Sequence, residues 1–98
     1  MTIEIKKSTE ETVIEVVGRL DTTTAPALDK TISEVVNGLK SLVLDLKGLE
    51  YISSAGLRVL LSAQKKMQQN GSMKVTHVCE DVMEVFEMTG FADILTIE

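Results

Sequence analysis

The stretch Ser41-Leu-Val-Leu-Asp-Leu46 limits the fold more than any other part of this chain. It is a nearly unbroken apolar run, too short for a helix and composed like a strand that is covered on both faces. Ahead of it, Ala25, Leu28, Ile32, Val35, Val36 and Leu39 recur at helical spacing. Behind it, Leu57, Leu60, Leu61, Gln64 and Met67 do the same. A core strand between two one-sided helices requires a layered α/β arrangement, with helices laid on a largely parallel sheet.

The remaining elements follow from alternation and stop signals. Ile3 and Ile5 alternate with polar neighbours, and residues 12–18 (T-V-I-E-V-V-G) are rich in β-branched side chains. The short polar break at Glu10-Glu11 makes these two strands an antiparallel hairpin. Residues 19–26 (R-L-D-T-T-T-A-P) read as a loop entering the first helix, with Thr23 or Thr24 as its cap and Pro26 in its first turn. Asn37-Gly38 is the stop. After the central strand, residues 47–52 read as a short connection, and a second helix runs from Ser53 or Ser54 to about Gln69. A strand over 73–78 follows, then a helix over 80–89 with Val82, Val85 and Phe86 inward and Gly90 as its stop. A short strand over 93–97 closes the chain. The expected fold is one α/β domain over 1–98, in the order β-β-α-β-α-β-α-β, with a mixed, mostly parallel sheet of four to five strands and helices packed against it.

Composition excludes several functions. A 98-residue chain that is 44% hydrophobic can bury a core, but with 3% aromatic residues and no Trp it has little with which to stack bases or sugars. The net charge of −5 is opposite to what nucleic acid or an anionic membrane selects, so neither is an expected partner. A lone cysteine, Cys79, and the absence of a long apolar stretch near the N-terminus point to the cytoplasm.

Enzyme constellations are equally poorly served. His77 is the single histidine, it falls in an expected strand, and Ser54 lacks the G-x-S-x-G setting of a nucleophile elbow. Cys79 has no companion ligands for zinc, and no phosphate-cradling glycine loop occurs. No catalytic residue, metal or cofactor is therefore expected. What stands out is Ile52-Ser-Ser-Ala-Gly-Leu-Arg58, where a βα connection meets a helix N-terminus. In open α/β sheets that edge carries function, and the helix dipole favours negative charge there. Ser53 or Ser54 can simply cap the helix. A phosphate on either would also be accommodated, with small Ala55 and Gly56 letting another protein approach.

Four segments together resemble the STAS domain family, whose small members are bacterial anti-sigma-factor antagonists. Gly18-Arg-Leu-Asp21 is similar to the family's G-x-L-D, and Leu42-Val-Leu-Asp-Leu46 to its central strand. Residues 51–61 (Y-I-S-S-A-G-L-R-V-L-L) resemble its D-S-[ST]-G-L signature, and residues 88–95 (M-T-G-F-A-D-I-L) its closing T-G segment. The resemblance implies that Ser54 accepts a phosphoryl group, with Ser53, which stands where many members have Asp, as a rival. Ala55 stands where many have Ser or Thr. Asp21 matches the family's loop aspartate, with a turn-forming Asp as the plainer reading.

The function implied is that of a non-catalytic anti-sigma-factor antagonist. It would bind an anti-sigma factor that is also a serine-protein kinase, which supplies ATP and Mg, through Asp21, Thr22, Ser53, Ala55, Gly56, Leu57 and Arg58. Phosphorylation of Ser54 would switch that binding off, and a serine phosphatase would restore it. The alternatives are a constitutive docking module in a signalling or transport-associated complex and, third, a small serine hydrolase using Ser54.

Overall fold

The computed structural model describes residues 1–98, Asn70 by its backbone alone. The chain runs β1 (Thr2–Lys7), β2 (Glu11–Leu20), α1 (Ala25–Val35), β3 (Ser41–Ile52), α2 (Ser54–Asn70), β4 (Ser72–Thr76), α3 (Glu80–Thr89) and α4 (Phe91–Ile94). The sheet order is β1-β2-β3-β4, antiparallel between β1 and β2 and parallel at the other two junctions. The hairpin, the central strand and the two crossover helices stand as the sequence implies.

The apolar run at 41–46 is the middle of the sheet. Leu42, Leu44 and Leu46 are fully buried and belong to one cluster with Ile14, Val16, Met73 and Val75 from the strands and Leu28, Ile32, Leu60, Met67, Val82 and Phe86 from the helices. All helices thus cover one face. Val43, on the other face, lies outside that cluster and stands between its register partners Val13 and Lys74. The apolar run predicts cover on both faces; the helices cover one, although Val43 on the other is only 9% exposed.

Two other expectations are corrected. Residues 47–52 are not a connection but the second half of β3, running beside the end of β2 as far as Leu20↔Ile52. Lys47-Gly48 reads as a turn, yet register shifts between Glu15 and Val17 and between Gly18 and Arg19 let the two strands stay paired through it. The expected closing strand over 93–97 is mostly absent. Gly90, at φ +82°, ends α3 in the left-handed conformation and at once begins α4, which takes Asp93 and Ile94. What remains is an isolated parallel bridge of Ile97 to Val75, in which the Val75 N–H donates to the Thr96 carbonyl at 2.8 Å and the Glu98 N–H donates to the Val75 carbonyl at 2.9 Å. Leu95, 5% exposed, is drawn into the core instead of extending along β4.

Candidate functional site

The site begins with two strands that end side by side. Leu20 and Ile52 are register partners, and the Ser53 N–H donates to the Leu20 carbonyl at 2.9 Å. The loop after β2 and the junction after β3 are therefore latched together at the C-terminal edge of the parallel strands.

Ser53 is extended (φ −98°, ψ 176°), the backbone of an N-cap. Its Oγ accepts from the Gly56 N–H at 3.4 Å, and its carbonyl accepts from the Leu57 N–H at 2.9 Å. Ser54 is the first residue of α2 and is exposed. Among the described residues no side-chain hydrogen bond engages its hydroxyl. The two serines thus separate into a cap and an open hydroxyl.

Gly56 has a different task from the one its size suggested. It is buried, and a Cβ there would stand 2.7 Å from Leu20 Cγ and 2.8 Å from Ile52 Cγ1. Glycine lets the first turn of α2 sit directly on the strand ends, and the exposed surface of that turn belongs to Ser54 and Arg58. Leu57 is 6% exposed and lies under that surface, Ala55 is half-buried against the core, and Arg58 is exposed.

The neighbouring loop is organised by Asp21. Its Oδ1 accepts from the Thr23 hydroxyl at 2.7 Å, the Thr23 N–H at 3.0 Å and the Thr24 N–H at 3.2 Å. These donors favour the ionised form, the Thr23 hydroxyl most, and hold the carboxyl below the usual aspartate range. Thr24 occupies the N-cap of α1, but its hydroxyl does not cap the helix. It accepts from the Asp21 N–H at 2.9 Å and donates to the Arg19 carbonyl at 2.9 Å, closing the loop on itself. Thr22 is exposed at the loop's crest. The turn-forming reading of Asp21 is the one these contacts describe.

Three participants escaped the sequence reading. Leu20 and Ile52 are the seat on which Gly56 rests, and the only signal for them is their position just before each loop. Arg19 lies over the Tyr51 ring at 4.2 Å, on the register pair next to the latch. His77 leaves β4 at φ +56°, with its Nδ1 3.1 Å from Asp45 Oδ1, and Cys79 Sγ donates to the Leu49 carbonyl at 3.3 Å. Among the described residues neither makes a hydrogen bond to Ser54. Among the described residues no group of His, Cys, Asp and Glu could hold a metal ion, and no helix is long and apolar enough to cross a membrane.

A family model for the STAS domain matches residues 2–98. The chain belongs to the STAS domain family. Over 102 residues it is 35% identical to the anti-sigma-B factor antagonist of Listeria monocytogenes, covering 100% of this chain and 89% of that one. A 66-residue stretch is 42% identical to the BtrV protein of Bordetella bronchiseptica, covering 66% of this chain and 57% of that protein. Among solved structures, an anti-sigma factor antagonist from Mycobacterium paratuberculosis superposes with a TM-score of 0.90 at 27% identity, over 98% of this chain and 83% of its own. SpoIIAA of Bacillus in its phosphorylated form shares the fold, with a TM-score of 0.77 at 16% identity over 99% of this chain and 91% of its own. These STAS relatives carry the names of regulators, not of enzymes.

Proposed function

We propose that this STAS protein is an anti-sigma-factor antagonist whose docking surface is switched by phosphorylation of Ser54. Unmodified, it binds an anti-sigma factor that is also a serine kinase and so frees that factor's target. The observation that carries this reading is the exposed Ser54, beside a cap that already occupies Ser53. The names of the Listeria and Mycobacterium relatives support the role, and the phosphorylated form of SpoIIAA supports the chemistry. The cytoplasm, where ATP is available, is its site of action.

In the transfer, the Ser54 oxygen attacks the γ-phosphorus of the partner's Mg-ATP. The bond from that phosphorus to the bridging oxygen breaks, ADP leaves, and the hydroxyl proton passes to a base on the kinase. A serine phosphatase reverses the modification by hydrolysis. The phosphate brings about −1.5 to −2 charges to the first turn of α2, where the antagonist's own helix dipole tolerates it. The partner, fitted to a neutral hydroxyl, would have to bury an unmatched dianion, which costs several kcal/mol.

Incubation with the cognate kinase and Mg-ATP, followed by intact-mass analysis, tests the reading. One added phosphoryl group on the wild type and none on Ser54→Ala is the expected result. Phosphate on Ser54→Ala but not on Ser53→Ala would move the acceptor to Ser53; no phosphate on the wild type would leave the constitutive docking module.

A further inference from the structure

We infer that Arg58 is a switched cation: beside an unmodified Ser54 it is free to meet a carboxylate of an acidic partner segment, and beside a phosphorylated Ser54 it pairs with the phosphate in its own chain. This rests on the phosphorylation reading and adds to it the partner's chemistry and the means of release.

Positions 54, 58, 61, 62, 65 and 69 form one stripe along the outer side of α2. Beyond Ser54 the stripe is concave, a groove of about 310 Å³ lined by Arg58, Leu61, Ser62, Lys65, Lys66 and Gln69. The chain has net charge −5, yet α2 carries Arg58, Lys65 and Lys66 and no acidic residue. The acids gather elsewhere, five of them at Glu80, Asp81, Glu84, Glu87 and Asp93. Lys66 Nζ donates to Ser33 Oγ at 3.0 Å and is tied to α1. Arg58 and Lys65 are exposed and, among the described residues, enter no ion pair. A positive groove with half-buried Leu61 in its lining and no acidic residue among those that line it is complementary to an acidic segment of another protein.

The same geometry provides the release. Residues four apart on a helix are neighbours, about 5–6 Å between Cβ atoms, and the favourable order puts the anion N-terminal to the cation. Helical side chains lean toward the N-terminus of their helix, which puts a phosphate on Ser54 within reach of Arg58. Its planar fork matches two phosphate oxygens. The other cation at this edge, Arg19, is stacked on Tyr51, and the Asp21 carboxylate is held by its own loop. Phosphorylation therefore does more than add repulsion. It withdraws the leading cation of the groove and turns that end of the stripe net negative.

Phosphoserine is encoded genetically at position 54, so that no kinase is needed, and its second ionisation is followed by 31P NMR at low salt. Relative to wild type, Arg58→Gln should raise that pKa by about 0.3 pH unit or more. Arg58→Lys should restore part of the shift, and Lys65→Gln, about 16 Å along the helix, should leave it unmoved. Equal ionisation in wild type and Arg58→Gln, with both folded by circular dichroism, overturns the pairing. A glutamate-rich peptide titrated into the 15N-labelled protein should shift the amides of residues 58–69, and less so in the phosphorylated protein; shifts scattered over the surface, or indifferent to the phosphate, overturn the acidic occupant. Because the phosphate is installed without a kinase, these results stand apart from the mass assay above.

Discussion

Two helix starts sit side by side at one sheet edge and use their hydroxyls in opposite ways. Ahead of α1, Thr23 and Thr24 turn inward on Asp21, so the loop satisfies itself. Ahead of α2, Ser53 alone serves the cap, and Ser54 is left facing outward. The difference lies in the backbone. Asp21 begins a turn that brings the Thr24 N–H back to the Asp21 carbonyl at 3.2 Å, whereas β3 passes into α2 through one extended residue. A three-residue turn has room to close on its own side chains; a one-residue junction does not.

The comparison is broken most severely at Ser54. Ser54→Asp should weaken binding to the partner kinase by roughly a hundredfold, about 3 kcal/mol. It should leave thermal unfolding within about 0.5 kcal/mol of wild type, as suits an exposed position. Calorimetric titration together with a melting curve reads both; equal binding would mean that the open hydroxyl has no part in docking.

Gly56→Ala tests the latch that holds the two starts together. A Cβ 2.7 Å from Leu20 Cγ forces the helix off the strand ends, at a cost of about 1–3 kcal/mol. For a domain of this size each kcal/mol lowers Tm by about 4–8 °C. An unchanged melting temperature would mean that α2 does not need this close seat.

Ser53→Ala should be milder. Its capping bond is long at 3.4 Å, so the loss falls at the low end for caps, about 0.5 kcal/mol by urea denaturation. Phosphate acceptance at Ser54 should persist in this variant.

The smallest effect concerns Asp21 and appears only in acid. Its folded pKa is lowered by the Thr23 and Thr24 donors, so its contribution is present above the unfolded value of about 3.9 and is lost as pH falls through the folded value. Asp21→Asn should therefore flatten the pH dependence of the urea midpoint below about pH 4 and change its slope little above pH 5. A variant with the same acid limb as wild type would mean that the loop's donors do not hold the carboxylate.

The two starts also differ in how far they could be read from the sequence. The junction at Ser53-Ser54 was legible, because a hydroxyl pair between an apolar run and a helical stripe has few other uses. Which of the two caps the helix was not, since it depends on which hydroxyl the Gly56 N–H faces. The cap expected from Thr23 or Thr24 does not form for a related reason: both hydroxyls have a second use nearby, and the fold of residues 19–24 favours the loop over the helix. The second half of β3 was missed because Lys47-Gly48 is locally a turn, and only pairing with a strand some thirty positions earlier in the chain keeps it extended. The closing strand was overread because Ile94, Leu95 and Ile97 suit a strand locally, while Gly90 and the burial of Leu95 direct residues 91–94 into a helix.

The sequence by itself determined the alternation of strands and helices, the central apolar strand, the family and the edge that carries the candidate site. Each of these rests on periodicity, on residue type or on a motif within a short window. Only the tertiary structure decided that helices cover a single face, that Gly56 is a seat for Leu20 and Ile52, and that Arg58 leads a groove with no acidic residue in its lining. Those outcomes depend on which atoms distant segments bring within contact, and no local pattern of residues encodes that.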